Sequence, residues 1–564
     1  MCGISGIWIN SRQSELDIKE MMLNVNRSLA HRGPDSDGYW INVNCDLFLS
    51  HQRLAILDLT EAGNQPMISK NKRYIICFNG EIYNHISIRR ELEKAQNISN
   101  DYWNGNSDTE TLLAALEFWD LEIVLNKLVG MFAFGLYDIF ENRLTLVRDR
   151  FGEKPLYFGI PFFSGLNSGK CLFFASELTA FKALKGFSNN INKEAFLSYT
   201  KSGYVTAPLS IYDEIYQLMP GHYISFPLES LNIYQCRLMF DNQIQWWDPI
   251  QISQSFSTRS SLTSKDEFIE RLELTLKESV KGQSISDVPL GAFLSGGIDS
   301  TLITTLLQMQ SSDPINTFTI SFPDEEDGYS GFDEAGNSRS IASYLGTNHN
   351  ERALTAEDAL KLIPNLPSIF SEPFSDSSQV ATHLVCKEAR QSGLSVALSG
   401  DGADELFGGY NRHRIGPLLN NFLVNLPYSA KSVIANSIDN FRLKDKGLLL
   451  EKRRKLSGAI RNSSDLENIY NYLSSVFFDP SEIINESLIT NEKNSLKVLP
   501  FANTSEEQIM MADLLNYLPN DILVKLDRCS MSNSLETRSP YLDHRLAEIS
   551  WQMPINMKIP NKFK

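Results

Sequence analysis

The first half of the chain shows the pattern of short β-strands. The segments CGISGIWIN and RYIICF, the second spanning Arg73 to Phe78, place apolar residues at strand spacing next to glycine or asparagine. The first of these strands begins at Cys2. We therefore expect a sheet that is built on the N-terminus of the chain.

The second half alternates strands with amphipathic helices. DEFIERLELTLKESVKG has helical periodicity, VPLGAFL is a nearly continuous apolar run, and further strands are expected at Thr317 to Phe322 and Ser395 to Leu398. Strands of this kind, separated by helices, are typical of a parallel sheet covered on both faces. The prediction is an α/β doubly wound sheet whose loops converge on one crevice.

A polar stretch separates the two patterns. QWWDP is followed by QISQSFSTRSSLTSK, a connection rich in Ser, Thr and Gln. The 564 residues of the chain exceed what one core holds, since domains usually contain about 100 to 200 residues. We predict a first domain at 2–225, a connection at 226–260 and a second domain at 261–564.

Net charge, cysteine content and the lengths of apolar runs exclude several classes of partner and location for this protein. The formal net charge of -16 argues against nucleic acid as the main partner. Seven cysteines without a C-x-x-C pair suggest neither a disulfide framework nor a zinc site, and they favour the reducing cytoplasm. The sequence shows no secretion signal and no apolar run of about 18 residues, so no membrane span is expected. The oligomeric state stays open, with a homodimer as one option.

The position of Cys2 suggests a nucleophile. Once Met1 is removed, Cys2 carries both a thiol and a free α-amine, whose reference pKa of about 7.7 to 8.0 suits a base. The alternative is that a cysteine stands second in the chain by chance.

Asn79 and Gly80 follow the predicted strand RYIICF. An Asn-Gly pair after a strand is typical of a hairpin turn. Alternatively, the Asn79 amide and the Gly80 N–H form an oxyanion hole for acyl transfer, in which one donor contributes on the order of 3 kcal/mol.

Arg53 and Asp108 could hold the two charged ends of a free amino acid. Without that role, Arg53 is a surface arginine and Asp108 is the N-cap of the helix TETLLAALEF.

Two glycine-rich loops follow predicted strands in the second half. SGGIDST, Ser295 to Thr301, precedes an apolar helix, an arrangement that favours anion binding, although a Gly-Gly turn also occurs without a ligand. The loop lacks the Gly-Lys ending of a Walker A motif. SGDGADE brings Asp401, Asp404 and Glu405 to the same crevice. Acids opposite a phosphate loop fit a bridging Mg²⁺.

Six blocks in order resemble the class II glutamine amidotransferase domain, an N-terminal-nucleophile hydrolase. They are CGI, HRGPD, HQRLAILD, FNGEIYN, NSDTE and RDRFGEKPLYF. The resemblance implies an α+β sandwich in which Cys2 attacks the amide of glutamine and releases ammonia. It also implies that Asn79 and Gly80 form the oxyanion hole, and that Arg53, Glu81 and Asp108 hold the amino-acid end.

SGGIDS and SGDGADELFGGY resemble the synthetase domain of glutamine-hydrolysing asparagine synthetases, which belong to the ATP pyrophosphatases. The resemblance implies a substrate carboxylate activated by ATP as an acyl-adenylate, and an internal apolar tunnel that delivers ammonia. The metal ligands for Mg²⁺ are implied to be Asp299 and Asp404. The implied ATP-binding residues are Leu294, Ser295, Gly296, Gly297, Asp299, Ser300, Ile320, Ser399 and Gly400.

Two features depart from the family pattern. Asp401 stands where the family usually has glutamate, at a position implied to be catalytic, and it looks more like a branch found with bacterial surface-polysaccharide clusters. The acceptor is therefore aspartate or another carboxylate, such as a uronic acid. The chain ends at MKIPNKFK, where relatives continue with a basic segment that Lys562 or Lys564 could begin. Without that segment we expect intact glutaminase chemistry but impaired amidation. A further alternative is that the protein is a sensor of glutamine or nucleotide with an inactive synthetase half.

Overall fold

The computed structural model describes nine parts of the chain. They are residues 2–10, 14–163, 169–229, 231, 242–257, 264–322, 334–440, 448–477 and 504–559.

Two antiparallel sheets form the first half of the molecule. Their strand orders are β12-β8-β11-β1-β3-β2 and β14-β13-β7-β6-β5-β4, and β9 and β10 form a separate pair. The strands are β1 Gly3–Trp8, β2 Ser36–Ile41, β3 Leu47–Arg53, β4 Met67–Ile68, β5 Tyr74–Ile82, β6 Gly130–Asp138, β7 Arg143–Arg148, β8 Tyr157–Gly159, β9 Phe162–Phe163, β10 Gly169–Lys170, β11 Leu172–Ala175, β12 Ile215–Gln217, β13 His222–Pro227 and β14 Ile244–Gln245.

The two sheets pack face to face. Ile4 and Phe174 of the first sheet share one buried apolar cluster with Cys77 and Leu146 of the second. Helices cover the outer faces, as expected for an α+β sandwich. They are Glu15–Ser28, His85–Gln96, Asp108–Phe118, Leu121–Lys127, Leu178–Lys182 and Lys193–Ser202.

The predicted strand at Arg73 to Phe78 is longer in the structure. It runs as β5 from Tyr74 to Ile82, and Asn79 and Gly80 pair with Ala133 and Phe132 of β6. The hairpin turn considered for Asn79 and Gly80 is therefore wrong, because both residues continue the ladder of hydrogen bonds.

The residues expected to connect the domains contain regular structure. β14, at Ile244–Gln245, pairs with β13 of the second antiparallel sheet, and a helix follows at Pro249–Ser257. Part of the expected connection, at 230, 232–241 and 258–260, lies outside the described residues.

A five-stranded parallel sheet forms the second half, which confirms the predicted α/β architecture. Its order is β17-β16-β15-β18-β19. The strands are β15 Leu290–Phe293, β16 Asn316–Ser321, β17 Asn348–Ala353, β18 Val396–Leu398 and β19 Glu536–Arg538.

Helices cover both faces of the parallel sheet. Leu398 packs against Ile303 on one face, and its neighbour Ala397 packs with Cys386 on the other. This alternation follows from the two-residue period of a strand. The helices are Lys265–Gln283, Ile298–Gln310, Ala335–Leu345, Ala356–Leu362, Leu366–Phe370, Gln379–Gln391, Ala403–Phe407, Asn411–Leu423, Tyr428–Asn440, Leu448–Arg461, Leu466–Ser474, Ser505–Ala512, Leu523–Met531, His544–Gln552 and Ile555–Lys558.

One continuous helical segment lies between the two halves. A π-helix at Asp513–Ile522 leads directly into the helix Leu523–Met531, which we call the interface helix. Within the described ranges, no helix combines the length and the apolar character that crossing a membrane requires.

Candidate active sites

Cys2 lies at the start of the central strand β1 and is only 8% exposed. Its backbone N–H donates to Asn79 Oδ1 at 2.9 Å, and its carbonyl accepts from Arg32 Nε at 3.1 Å. Burial raises the pKa of the Cys2 thiol, with the charge of Glu536 adding to the effect. A thiol with a raised pKa needs a base nearby before it can act as a nucleophile.

Asn79 brings an unused donor next to Cys2. Its side chain is fully buried, and Oδ1 accepts from the Cys2 N–H, whereas Nδ2 has no hydrogen-bond partner among the residues that the structure describes. A buried amide N–H without a partner is rare and unfavourable in a folded protein. The arrangement leaves this N–H available for an oxygen of a bound substrate.

Gly80 is the residue type that β5 requires at this position. A Cβ on Gly80 would lie 2.1 Å from the carbonyl oxygen of Met131 and 2.6 Å from Cα of Phe132, both on β6. The absent side chain leaves room for close approach of the two strands and of a substrate.

The structure places Arg53, Glu81 and Asp108 near this site in different settings. Arg53 Nη1 donates to the Thr60 carbonyl and to Asn64 Oδ1, both at 2.9 Å, and Nη2 donates to the Asp58 carbonyl. Arg53 is therefore a buried, anchored residue, and its interpretation as a surface arginine is wrong.

Asp108 is the first residue of its helix, whose N-cap is Ser107. The alternative in which Asp108 is the N-cap is therefore wrong. Asp108 Oδ2 accepts from the Ile82 N–H at 2.8 Å, and burial raises the pKa of Asp108 to about 6. Burial and the charge of Asp108 also raise the pKa of Glu81. Two buried carboxylates that repel each other favour a cationic ligand, such as an ammonium group.

Two residues of the parallel-sheet half also enter this site. Arg538 Nη2 lies 3.5 Å from Glu81 Oε1, and Arg538 Nε donates to Glu536 Oε1 at 2.7 Å. Sequence reasoning missed both residues. Their order in the chain gives no sign of proximity to Cys2, because only the docking of β19 brings them there.

The second candidate site lies at the carboxyl ends of β15 and β18. The Ser295 and Ser300 hydroxyls lie 2.9 Å apart, and the Ser295 N–H donates to Ser300 Oγ at 3.2 Å. Gly296 has φ +88°, a left-handed conformation that favours glycine, and Gly297 precedes the helix Ile298–Gln310. The loop and helix N-terminus form a cradle suited to phosphate.

The second glycine loop packs directly on the first. A Cβ on Gly400 would lie 2.8 Å from the backbone nitrogen of Ser300. The Ser399 N–H donates to the Arg538 carbonyl at 2.8 Å, and its hydroxyl lies 3.0 Å from that of Ser539. The Leu294 N–H donates to the Phe318 carbonyl at the same sheet edge, and Ile320 lies on the neighbouring strand β16. The structure therefore brings the predicted ATP-binding residues to one edge of the sheet.

Three acidic residues interact electrostatically at this cradle, and one of them, Asp299, lies in the first turn of its helix. Burial and the charges of Asp404 and Asp401 raise the pKa of Asp299 to about 6. Glu405 is instead buried and accepts from the Tyr410 hydroxyl at 2.8 Å. The described residues contain no group of three or more metal-ligating side chains. The donor set of Asp299 and Asp404 fits Mg²⁺, which typically uses one or two carboxylates together with substrate phosphates.

Sequence reasoning also missed a buried cation beside these acids. Lys525 of the interface helix donates to Asp376 Oδ2 at 2.6 Å, and the Lys525 charge acts on Asp401. Burial and the charge of Asp376 raise the pKa of Asp521 to about 8. These residues are far apart in sequence and carry no motif, so no local signal could have found them.

Comparisons with known proteins identify a family for each half of the chain. A family model described as a glutamine amidotransferase domain matches residues 1–235, and one described as asparagine synthase matches residues 271–564. Asparagine synthetase [glutamine-hydrolyzing] 1 of Bacillus subtilis (strain 168) is 30% identical over 100% of this chain and 82% of its own length. A putative asparagine synthetase [glutamine-hydrolyzing] 2 of Methanocaldococcus jannaschii is 31% identical over 94% of this chain and 98% of its own length.

A relative with a different name is also similar. Amidase chry2 of Gibberella zeae is 29% identical over 74% of this chain and 60% of its own length. The two family models together span most of the sequence and identify a glutamine-dependent carbon–nitrogen ligase. The chain belongs to the glutamine-hydrolysing asparagine synthetase family.

Proposed function

We propose that the protein converts aspartate, glutamine, ATP and water into asparagine, glutamate, AMP and diphosphate. The observation that carries this proposal is the close packing of the two glycine loops, in which a Cβ on Gly400 would lie 2.8 Å from the backbone nitrogen of Ser300. The charges of Asp404 and Asp401 act on Asp299 in the first of these loops and raise its pKa. A phosphate cradle faced by mutually repelling carboxylates fits a nucleotide bound with a divalent cation.

In the first half, Cys2 is proposed to attack the side-chain amide of glutamine. The free α-amine left after removal of Met1 takes the thiol proton and later supplies it to the departing ammonia. Water then hydrolyses the thioester on Cys2, which releases glutamate and restores the thiol. Asn79 Nδ2 and the Gly80 N–H stabilise the negative oxygen of the tetrahedral intermediate. The unpartnered, buried Nδ2 of Asn79 supports this role.

The amino-acid end of glutamine is proposed to bind at Arg53, Glu81 and Asp108. Glu81 and Asp108 attract the ammonium group, in line with their raised pKa values. Arg53 is anchored by carbonyl and amide oxygens, and a guanidinium held in this way supports its proposed role as the partner of the α-carboxylate.

In the second half, ATP is proposed to bind along the two glycine loops. Ser295, Gly296, Gly297 and Ser300 hold the diphosphate, and Leu294, Ile320, Ser399 and Gly400 contact the adenosine. Asp299 and Asp404 would hold Mg²⁺, which neutralises phosphate charge when bound. The substrate carboxylate attacks the α-phosphorus, diphosphate leaves, and ammonia then displaces AMP from the β-aspartyl-AMP intermediate. Asp401 is proposed to assist these steps.

Ammonia is proposed to pass between the halves without contact with solvent. Leu54 and Met131 of the first half share a buried apolar cluster with Val396 and Met531 of the second. An apolar boundary supports this proposal because it keeps water away and leaves ammonia unprotonated. We also propose that residues 2–225 act as the hydrolase, 226–260 as the connection and 261–564 as the synthetase. The proposed enzyme is cytoplasmic and does not use nucleic acid. A homodimer is its candidate oligomeric state.

A second acceptor is favoured by one observation. Asp401 replaces the longer glutamate usual in the family, and a change of one methylene shifts a catalytic carboxylate by roughly 1 Å. The alternative acceptor is another carboxylate, such as a uronic acid in surface-polysaccharide synthesis. The chemistry at ATP stays the same for either acceptor.

Product analysis tests the proposal. Incubation with glutamine, ATP, Mg²⁺ and aspartate should yield asparagine, AMP and diphosphate in equal amounts. In the variant Cys2→Ala, glutamine should fail as nitrogen donor while added ammonia still supports amidation. Diphosphate release is then measured with a panel of carboxylates, and release with another carboxylate but not with aspartate would reject aspartate as the acceptor. Lys562 and Lys564, expected to begin a closing segment, lie outside the described residues.

A further inference from the structure

The interface helix presents two buried charged residues to the first half. Asp527 and Arg528 are 4% and 1% exposed. Both Asp527 oxygens bind Arg32, with Nη2 donating to Oδ1 and Nη1 donating to Oδ2, each at 2.8 Å. This fork is the geometry in which a carboxylate fixes both the position and the plane of a guanidinium.

The Nε–H of Arg32 points to the backbone of the nucleophile. Its Nε donates to the Cys2 carbonyl at 3.1 Å, and Nη1 also donates to Glu177 Oε1 at 2.6 Å. Because a guanidinium is planar, the fork with Asp527 also sets the direction in which the Nε–H points. Burial alone disfavours the charge on Arg32, yet Asp527 and Glu177 raise its pKa.

The backbone of Cys2 is thus held on both sides. Asn79 accepts from its N–H, and Arg32 donates to its carbonyl. Asn79 belongs to the hydrolase half, whereas the orientation of Arg32 depends on a residue almost 500 positions later, at a sequence separation of 495. The nucleophile is therefore aligned in part by the synthetase half.

We propose that Asp527 is a positioning residue of the glutaminase reaction, which acts on Cys2 through Arg32. This inference rests on the proposed function only in taking Cys2 as the nucleophile. Two positions earlier on the same helix, Lys525 binds Asp376 beside the synthetase site. Glutamine hydrolysis consequently requires that the synthetase half is docked in its native position.

The variant Asp527→Ala tests the proposal through glutamate release from glutamine alone. We expect kcat to fall about 10- to 100-fold, because small displacements of a nucleophile have effects of this size, while KM changes less than about threefold. ATP binding in the presence of Mg²⁺, measured by calorimetry, should stay within about twofold of wild type. These readouts need no knowledge of the acceptor, so they remain interpretable if aspartate proves to be the wrong substrate.

Chemical labelling separates positioning from a merely structural role. An electrophilic glutamine analogue, 6-diazo-5-oxo-L-norleucine, should label Cys2 of the variant about 10-fold more slowly, because it reacts only from the aligned pocket. The control variant Asp439→Ala breaks another carboxylate–arginine pair, Asp439 with Arg461 at 2.9 Å, and should leave hydrolysis unchanged.

Two outcomes would overturn the proposal. One is an unchanged kcat in Asp527→Ala, and the other is a parallel loss of glutamine hydrolysis and ATP binding, which indicates general destabilisation. If Asp527→Ala does not fold, Arg32→Lys provides the test, since lysine keeps the charge but cannot form the fork. A wild-type kcat in Arg32→Lys would equally exclude the proposed alignment.

Discussion

At the scale of single residues, the two polar atoms of the Asn79 side chain, Oδ1 and Nδ2, have different surroundings. Oδ1 accepts from the backbone N–H of Cys2, and Nδ2 is a buried donor without a partner in the described part of the chain. We expect Asn79→Ala to lower the kcat of glutamine hydrolysis on the order of 100- to 1000-fold, the loss typical of one oxyanion-hole donor. Steady-state glutamate release measures this effect. Asn126→Ala, which changes an exposed asparagine, serves as the control and should retain full activity.

Asp108 gives a prediction about pH. Burial raises its pKa to about 6, so its carboxylate is charged above that pH and neutral below it. If Asp108 holds the ammonium group of glutamine, kcat/KM for glutamine should fall as the pH drops below about 6, mainly through a rising KM. The variant Asp108→Asn should show a higher KM that changes less across this range, because only the Glu81 carboxyl of the pair then titrates. A wild-type KM that stays constant from about pH 7.5 to 5 would contradict this role.

At the scale of elements, the pairing of β5 with β6 fixes the identity of residue 80. A Cβ on Gly80 would meet the Met131 carbonyl at 2.1 Å, so Gly80→Ala must separate the two strands. We expect a loss of about 1 to 3 kcal/mol in stability together with impaired glutamine hydrolysis, measured by thermal unfolding and glutamate release. Gly336→Ala is the matched control, because nothing lies within 4 Å of its Cβ position on the helix Ala335–Leu345. That variant should be neutral or more stable by up to about 1 kcal/mol.

At the scale of the whole molecule, the acidic cluster and the cysteine site lie in different halves. Removal of divalent cations with EDTA should abolish ATP-dependent amidation, because Asp299, Asp401 and Asp404 would otherwise repel the nucleotide. Glutamine hydrolysis should continue at its normal rate, because the proposed cysteine chemistry uses no metal. Parallel assays of glutamate and AMP check both expectations. An equal loss of the two products in EDTA would show that the sites do not work separately.

The site residues that could be predicted from the sequence lie close together along the chain. Cys2, Asn79 and Gly80, and the loops around Asp299 and Asp404, lie in short contiguous motifs whose residue types are set by local chemistry. The nearly continuous apolar strand, next to segments with helical periodicity, also indicated the parallel sheet. Strands and helices differ in the spacing of their apolar residues, and this spacing is visible in the sequence. The extent of β5 could not be read in this way, since Asn-Gly favours a turn unless a neighbouring strand pairs with it.

The sequence by itself determined the two fold classes and the residues that carry the proposed chemistry, because periodicity and short motifs are local properties of the chain. Only the tertiary structure decided that Glu536 and Arg538 enter the cysteine site. It also decided that Asp527 binds Arg32, which in turn binds the Cys2 carbonyl. Those contacts join residues separated by hundreds of positions. They form because burying a charged side chain is costly unless an opposite charge meets it, and the partner is supplied by the packing of one half on the other.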